Sequence, residues 1–139
     1  MDTESTRTLI EEFYRALAKG DRGGVIALLA DDCEWIPPAT APFEGVVGGA
    51  AIAAEMVGGV VKRMFDISKP FHLEVRKITV EGDTAVVQQR LTATAKETGA
   101  DYDNQYCWVY TCRDGKISRM EEYADTLLAA RTMGWETAP

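Results

Sequence analysis

Histidine is almost absent from this chain of 139 residues. His72 stands alone, without a partner set at the spacing of a zinc site, and reads as a solvated or core imidazole rather than a ligand. Cysteine is scarce too. Cys33, Cys107 and Cys112 are odd in number and show no C-x-x-C spacing, which excludes a disulfide framework and fits reduced thiols. None has a histidine beside it, so cysteine-based nucleophilic catalysis has no support. Basic residues are the minority charge, 15 against 22 acids, for a net charge of −7. They form no stripe, and nucleic acid is excluded as a partner. No apolar run approaches the ~18 residues of a membrane span, and Met1 to Thr8 is polar. The expectation is a cytoplasmic protein with no membrane partner. The "GVVGG" run from Gly45 lacks the G-x-G-x-x-G order and precedes no βαβ unit, so it reads as loop rather than nucleotide site. No cofactor and no metal are expected.

What is present is apolar residue in quantity, 46% of the chain. At this length roughly 70% of the unfolded surface can be buried, enough for one domain over residues 1–139 without staples. Leu9, Ile10, Phe13, Tyr14 and Leu17 fall at helical spacing, so a helix is predicted from Thr3 to Lys19, stopped by Gly20. Asp21 opens a second short helix that buries Val25, Ile26, Leu28 and Leu29. Cys33 to Ile36 reads as a strand cut off by Pro37 and Pro38, followed by a loop to Gly49. A third helix is expected from about Ala50 to Phe65. Gly58 and Gly59 should kink it, and alanines there should raise stability.

After Pro70, β-branched residues, alternation and turn signals predict strands at 71–80, 84–96, 102–113 and 116–124, then a short helix capped by Asp125 or Thr126. The fold class is therefore α+β, a curved antiparallel sheet wrapped around three N-terminal helices with an internal pocket. If Glu97 to Ala100 make a turn, Asn104 lies opposite Ala93, Tyr106 opposite Leu91, Trp108 opposite Gln89 and Tyr110 opposite Val87. Ala85, Val87, Leu91 and Ala93 then define an apolar concave face, with Gln89 its polar exception. A three-residue Arg113-Asp114-Gly115 loop would place Met120 opposite Trp108, Glu122 opposite Tyr106 and Ala124 opposite Asn104. A two-residue Asp114-Gly115 turn would instead aim Arg119, Glu121 and Tyr123 inward.

Four stretches, "FYRALAKGD", "LLADDCEWIPP", "PFEGVVGGAAIAAEM" and "YDNQYCWVYTCRDGKISRMEEYADT", together resemble the SnoaL-like polyketide-cyclase branch of a superfamily. That superfamily includes nuclear transport factor 2, ketosteroid isomerase and limonene epoxide hydrolase. The resemblance spans nearly the whole chain and implies a cone-shaped α+β barrel. It leaves the chemistry open, because the fold hosts isomerases, cyclases, hydrolases and binding modules. At the steroid-isomerase tyrosine position this chain has Phe13, and at the general-base aspartate position Pro37. The epoxide-hydrolase pattern would place an acid at Glu122 and an arginine near Arg90, but Thr92 replaces its second aspartate.

Glu122 is the first catalytic candidate: an inward carboxyl among apolar side chains has a raised pKa and can act as acid or base. Its ordinary alternative is a surface glutamate paired with Arg119 or Arg90. Tyr106 and Asn104 are candidates as donors to a carbonyl or developing oxyanion. Phe13, Trp35, Met56 and Trp108 are expected to wall a pocket for an apolar, ring-shaped ligand, with Leu17, Val60, Gln89, Leu91, Met120 and Ala124 completing it; such side chains are equally the material of a plain core. Two function classes remain. One is a cofactor-free small-molecule enzyme of isomerase or cyclase type, less readily an epoxide hydrolase; the other is a non-catalytic binding or dimerisation module. Val109, Tyr123 and Cys107 point outward in this register, so a homodimer through the convex sheet face is expected.

Overall fold

The computed structural model describes residues 1–135. Helix α1 (Thr3–Ala18) begins where the Asp2 side chain accepts the Ser5 N–H at 2.7 Å, and it buries Leu9, Ile10, Phe13 and Ala16. Each large apolar side chain so buried is worth about 1.5–3 kcal/mol. Gly20 follows at φ 63°, the left-handed turn that releases the chain into α2 (Arg22–Leu28). Asp21 caps α2 through the Gly24 N–H at 2.9 Å. Contrary to the sequence reading, Ile26 is exposed. It follows Val25 by one residue, and so short a helix buries a single stripe.

Strand β1 (Leu29–Ile36) starts earlier than Cys33 because its pairing with the last strand begins at Leu29. The expected loop contains a two-residue strand, β2 (Val46–Val47), paired with Glu34 and Trp35. The third helix comes in pieces: α3 (Gly49–Ala54), a π turn over Glu55–Gly59, and α4 (Val60–Met64). The break lies at Val57 and Gly58, the latter at φ 109°. That conformation suits glycine alone, and a Cβ on Gly59 would stand 2.8 Å from the Ala54 carbonyl oxygen. Alanines here are therefore strained, which reverses the stability gain expected from the sequence.

Strands β3 (His72–Glu81), β4 (Thr84–Thr94), β5 (Asp101–Arg113) and β6 (Lys116–Ala124) form the meander, and α5 (Thr126–Met133) follows, capped by Asp125 through the Leu128 N–H at 3.0 Å. The six-stranded sheet runs β2-β1-β6-β5-β4-β3. It is antiparallel except where β1 joins β6 in parallel, a pairing the sequence reading lacked. Helix α1 is tied to the β3–β4 turn by Thr6, which donates to the Gly82 carbonyl at 2.7 Å, and by Thr3, which accepts the Gly82 N–H at 3.0 Å.

Two registers differ from expectation, and neither difference turns a side chain over. Asn104 pairs with Leu91, Tyr106 with Gln89, Trp108 with Val87 and Tyr110 with Ala85. The turn sits one residue early, closed by the Ala95 N–H on the Ala100 carbonyl, and an offset of two preserves the faces. In the last hairpin Arg113 pairs with Lys116 across a two-residue turn in which Asp114 and Gly115 take φ 52° and 78°. The three-residue loop does not form. Ser118 instead bulges out of β6, its hydroxyl donating to the Thr111 carbonyl, and Trp108 pairs with Glu122 and Tyr110 with Met120.

Candidate functional site

The concave sheet face, α1, the broken third helix and α5 enclose a cavity of about 560 Å³, the size of an ordinary small-molecule pocket. Its wall is largely aromatic. Trp35 on β1 and Trp108 on β5 lie 6.0 Å apart, and Trp108 stacks on Tyr110 at 6.1 Å with their planes 10° apart. Of the sequence candidates, Leu17, Trp35, Met56, Val60, Gln89, Leu91, Tyr106, Trp108, Glu122 and Ala124 line the cavity.

Three candidates do not. Phe13 is fully buried in the core, edge-on to Tyr14 and Tyr110, because it lies on the α1 stripe facing the sheet. Met120 is fully buried too, paired with Tyr110 deeper in the core than Glu122. Asn104 is buried behind Tyr102. Its Nδ2 donates to the Tyr102 hydroxyl at 2.8 Å and to the Asp125 carbonyl at 3.1 Å, so it has no direct reach to a ligand.

Among the described residues Glu122 is the only carboxyl side chain in the cavity wall. The Trp35 indole N–H donates to its Oε1 at 3.0 Å. Burial pushes its pKa up to about 7, against the opposing pull of that hydrogen bond. Neither arginine from the ordinary reading reaches it. Arg119 contacts Glu121 and Glu34, and Arg90 holds Asp103 at 2.6 Å on the opposite sheet face. With Arg90 turned away, the epoxide-hydrolase pair of acid and arginine is not assembled.

Two tyrosine clusters complete the polar wall. Tyr102 and Tyr106 share a hydrogen bond at 2.5 Å. Tyr14 donates to Gln89 Oε1 at 2.9 Å and lies 2.6 Å from the Tyr110 hydroxyl. Burial holds all four phenols above their ordinary pKa, so each keeps its proton at neutral pH. The thiols of Cys33 and Cys112 lie in the core, where burial pushes them up to about 12 and about 11. Neither is a thiolate at neutral pH. No cluster of three His, Cys, Asp or Glu side chains among the described residues is placed to hold a metal ion. No described helix is long and apolar enough to cross a membrane.

The family model for the SnoaL-like domain matches residues 10–120. The chain belongs to this family. Among solved structures, an NTF2-like protein from Burkholderia xenovorans LB400 is 26% identical, with 96% of this chain and 98% of that one covered and a TM-score of 0.79. A candidate SnoaL-like polyketide cyclase from Jannaschia sp. CCS1 is 19% identical, covering 97% and 95% at a TM-score of 0.77. An LEH-like epoxide hydrolase from M. tuberculosis is 19% identical, covering 94% and 90% at a TM-score of 0.69. No curated protein matches the sequence.

In this SnoaL-like domain the α1 side chain that brings a hydroxyl to the cavity is Tyr14, one residue beyond Phe13. Sequence reasoning missed it, together with Tyr102 and Tyr110. The even-numbered inward positions of β5 that selected Tyr106 and Trp108 carry both of the latter. His72, at the start of β3, also borders the cavity and is exposed.

Proposed function

We propose that this SnoaL-like protein is a cofactor-independent proton-transfer enzyme of isomerase or cyclase type, acting on an apolar cyclic or carbonyl compound. The observation that carries the reading is Glu122, the one carboxyl among the described residues of an aromatic cavity wall, held by the Trp35 N–H. As carboxylate it takes a proton from the carbon next to a carbonyl; the C–H electron pair moves to the carbonyl oxygen as the enolate forms. As the acid it returns that proton to another carbon. Alternatively the enolate carbon attacks a second carbonyl carbon of the substrate to close a ring, the C=O π pair moves to that oxygen, and the oxygen takes the proton from Glu122. Such a group sits near its optimum when its pKa is close to the working pH. Tyr106, a protonated phenol in the same wall, is the donor for the developing oxygen charge.

The candidate cyclase among the similar structures supports the same class of chemistry. The test is deuterium exchange at the α carbon of β-tetralone in deuterium oxide, followed by proton NMR. The protein should accelerate exchange over buffer, and Glu122→Gln should lower the rate by a factor on the order of a hundred. Equal rates with both proteins would overturn the assignment and leave a non-catalytic binding module.

As partner, the reading includes a second copy docked on the convex face. Tyr123 is 54% exposed there, beside the half-buried Cys107 and Val109. Sedimentation at micromolar concentration should give the mass of a dimer, and a monomer would remove this element of the proposal.

A further inference from the structure

The inward side of β5 presents Tyr102, Asn104 and Tyr106 in succession, and the chemistry of their neighbours fixes where each proton points. Asn104 Nδ2 lies 3.1 Å from the Asp125 carbonyl oxygen, which also receives the Ala129 N–H at 3.1 Å. That oxygen can only accept. Turning the amide over would set Oδ1 against it, so the NH2 group must stand where it does, and its second proton goes to the Tyr102 oxygen at 2.8 Å. Tyr102 is 1% exposed, and its own proton has one acceptor in reach, the Tyr106 oxygen at 2.5 Å. Were Tyr102 to accept from both neighbours instead, its proton would be stranded in the interior, at the cost of an unmade hydrogen bond. The Tyr106 oxygen therefore receives the Tyr102 proton. The Tyr106 proton, with no acceptor among the described residues, is left for the cavity that the ring lines.

We propose that the relay from Asn104 through Tyr102 makes Tyr106 an obligate donor, so that the ligand of this cavity carries an acceptor oxygen, a ketone or the enolate formed from it. The inference deepens the proton-transfer reading and rests on it for the cavity's role as a small-molecule site. Asn104 is a positioning residue; Tyr102 also lines the cavity, but its proton goes to Tyr106, so both set the ligand's hydrogen bond through the Tyr106 hydroxyl. Each donor in the chain also polarises the next, so the last one is a stronger donor toward a developing enolate oxygen than a lone phenol.

The relay makes an ordering that a packing role would not. Removing its middle should cost less than reversing its far end. In Tyr102→Phe the Tyr106 hydroxyl has no protein partner and still points to the ligand. In Asn104→Leu nothing donates to Tyr102, but the Tyr102 proton still has only the Tyr106 oxygen to go to, so the Tyr106 proton stays in the cavity. Asn104→Asp turns the order round. A protonated Asp donates to the Asp125 carbonyl and accepts from Tyr102, which reverses the chain.

The experiment compares two shape-matched probes, β-acetylnaphthalene and β-isopropenylnaphthalene, in which a methylene replaces the carbonyl oxygen. Affinity is read by quenching of tryptophan fluorescence. The unmodified protein should prefer the ketone by about tenfold, the worth of one well-placed hydrogen bond. Tyr106→Phe should bring the ratio near one, Tyr102→Phe and Asn104→Leu should keep most of it, and Asn104→Asp should lose most of it. No ketone preference in the unmodified protein, a preference kept in Tyr106→Phe or in Asn104→Asp, or one lost in Tyr102→Phe, overturns the relay. A ketone preference without deuterium exchange would overturn the Glu122 chemistry and leave the relay standing. Binding of neither probe would overturn both.

Discussion

The indole N–H of Trp35 donates to Oε1 of Glu122 at 3.0 Å, across the one parallel strand pair of the sheet. Two effects compete on that carboxyl. Desolvation favours the neutral form and is the larger, while the indole donor favours the anion. Trp35→Phe removes the opposing effect and keeps a ring in the wall. The Glu122 pKa should then rise above about 7. Carbon-detected NMR titration of the glutamate side chains checks this directly. The pH–rate profile checks it again: base catalysis should climb through about 7 in the unmodified protein and at higher pH in the variant.

The same shift has a stability consequence of definite sign. The folded state binds the Glu122 proton up to about pH 7, while the unfolded chain releases it near its ordinary 4.5. Between those values the folded state holds more protons, so stability falls as pH rises and levels off above the folded pKa. The full span is about 3 kcal/mol. Glu122→Gln has no charge to bury and should lose this part of the pH dependence. Urea unfolding at pH values on either side of the window should show the variant as the more stable protein above pH 7. Activity should be lost at the same time.

That Glu122 faces inward was legible, although for a reason the sequence did not display. Alternation along β6 reads Ile117, Arg119, Glu121 from the turn, and a two-residue turn would have sent Glu122 outward. The Ser118 bulge resets the alternation, so Met120 and Glu122 join Ile117 on the inner face. Nothing in Lys116 to Arg119 marks that serine as the extra residue, since a bulge is chosen by how both neighbouring strands pack. The β4–β5 faces survived a misplaced turn because the error was even. Asn104 shows the opposite case: its face was legible, but its depth behind Tyr102 depends on the Asp125 carbonyl at the start of α5, a contact between distant segments. The helix hairpin and strand limits were accessible because caps, glycines and alternation are local signals.

Gly58 offers a test of the broken helix. Its φ of 109° lies where a Cβ is strained, and Met56 and Val60, on either side of it, both line the cavity. Gly58→Ala should destabilise the protein by about 1–3 kcal/mol. Binding of β-acetylnaphthalene should weaken as well, because the helix can relieve the strain only by repacking those two residues. Thermal unfolding gives the first quantity and fluorescence quenching the second. A variant as stable as the parent would show that the break is not set by this residue.

Gln89 is the one polar side chain in an inner row otherwise made of Ala85, Val87, Leu91 and Ala93, and it is 7% exposed. A buried amide persists there because Tyr14 donates to its Oε1, while the Tyr110 hydroxyl, 2.6 Å from that of Tyr14, supplies the donor that Tyr14 accepts. Helix α1 and strand β4 are thereby joined by a polar contact inside an apolar layer. Removing one partner leaves the other unsatisfied, at about 1–3 kcal/mol. Tyr14→Phe and Gln89→Leu should each destabilise by that order, while the double variant, with both groups apolar, should cost less than their sum. The coupling from a double-mutant cycle in urea should be about 1 kcal/mol. Strict additivity would mean that the hydrogen bond does not hold α1 to the sheet.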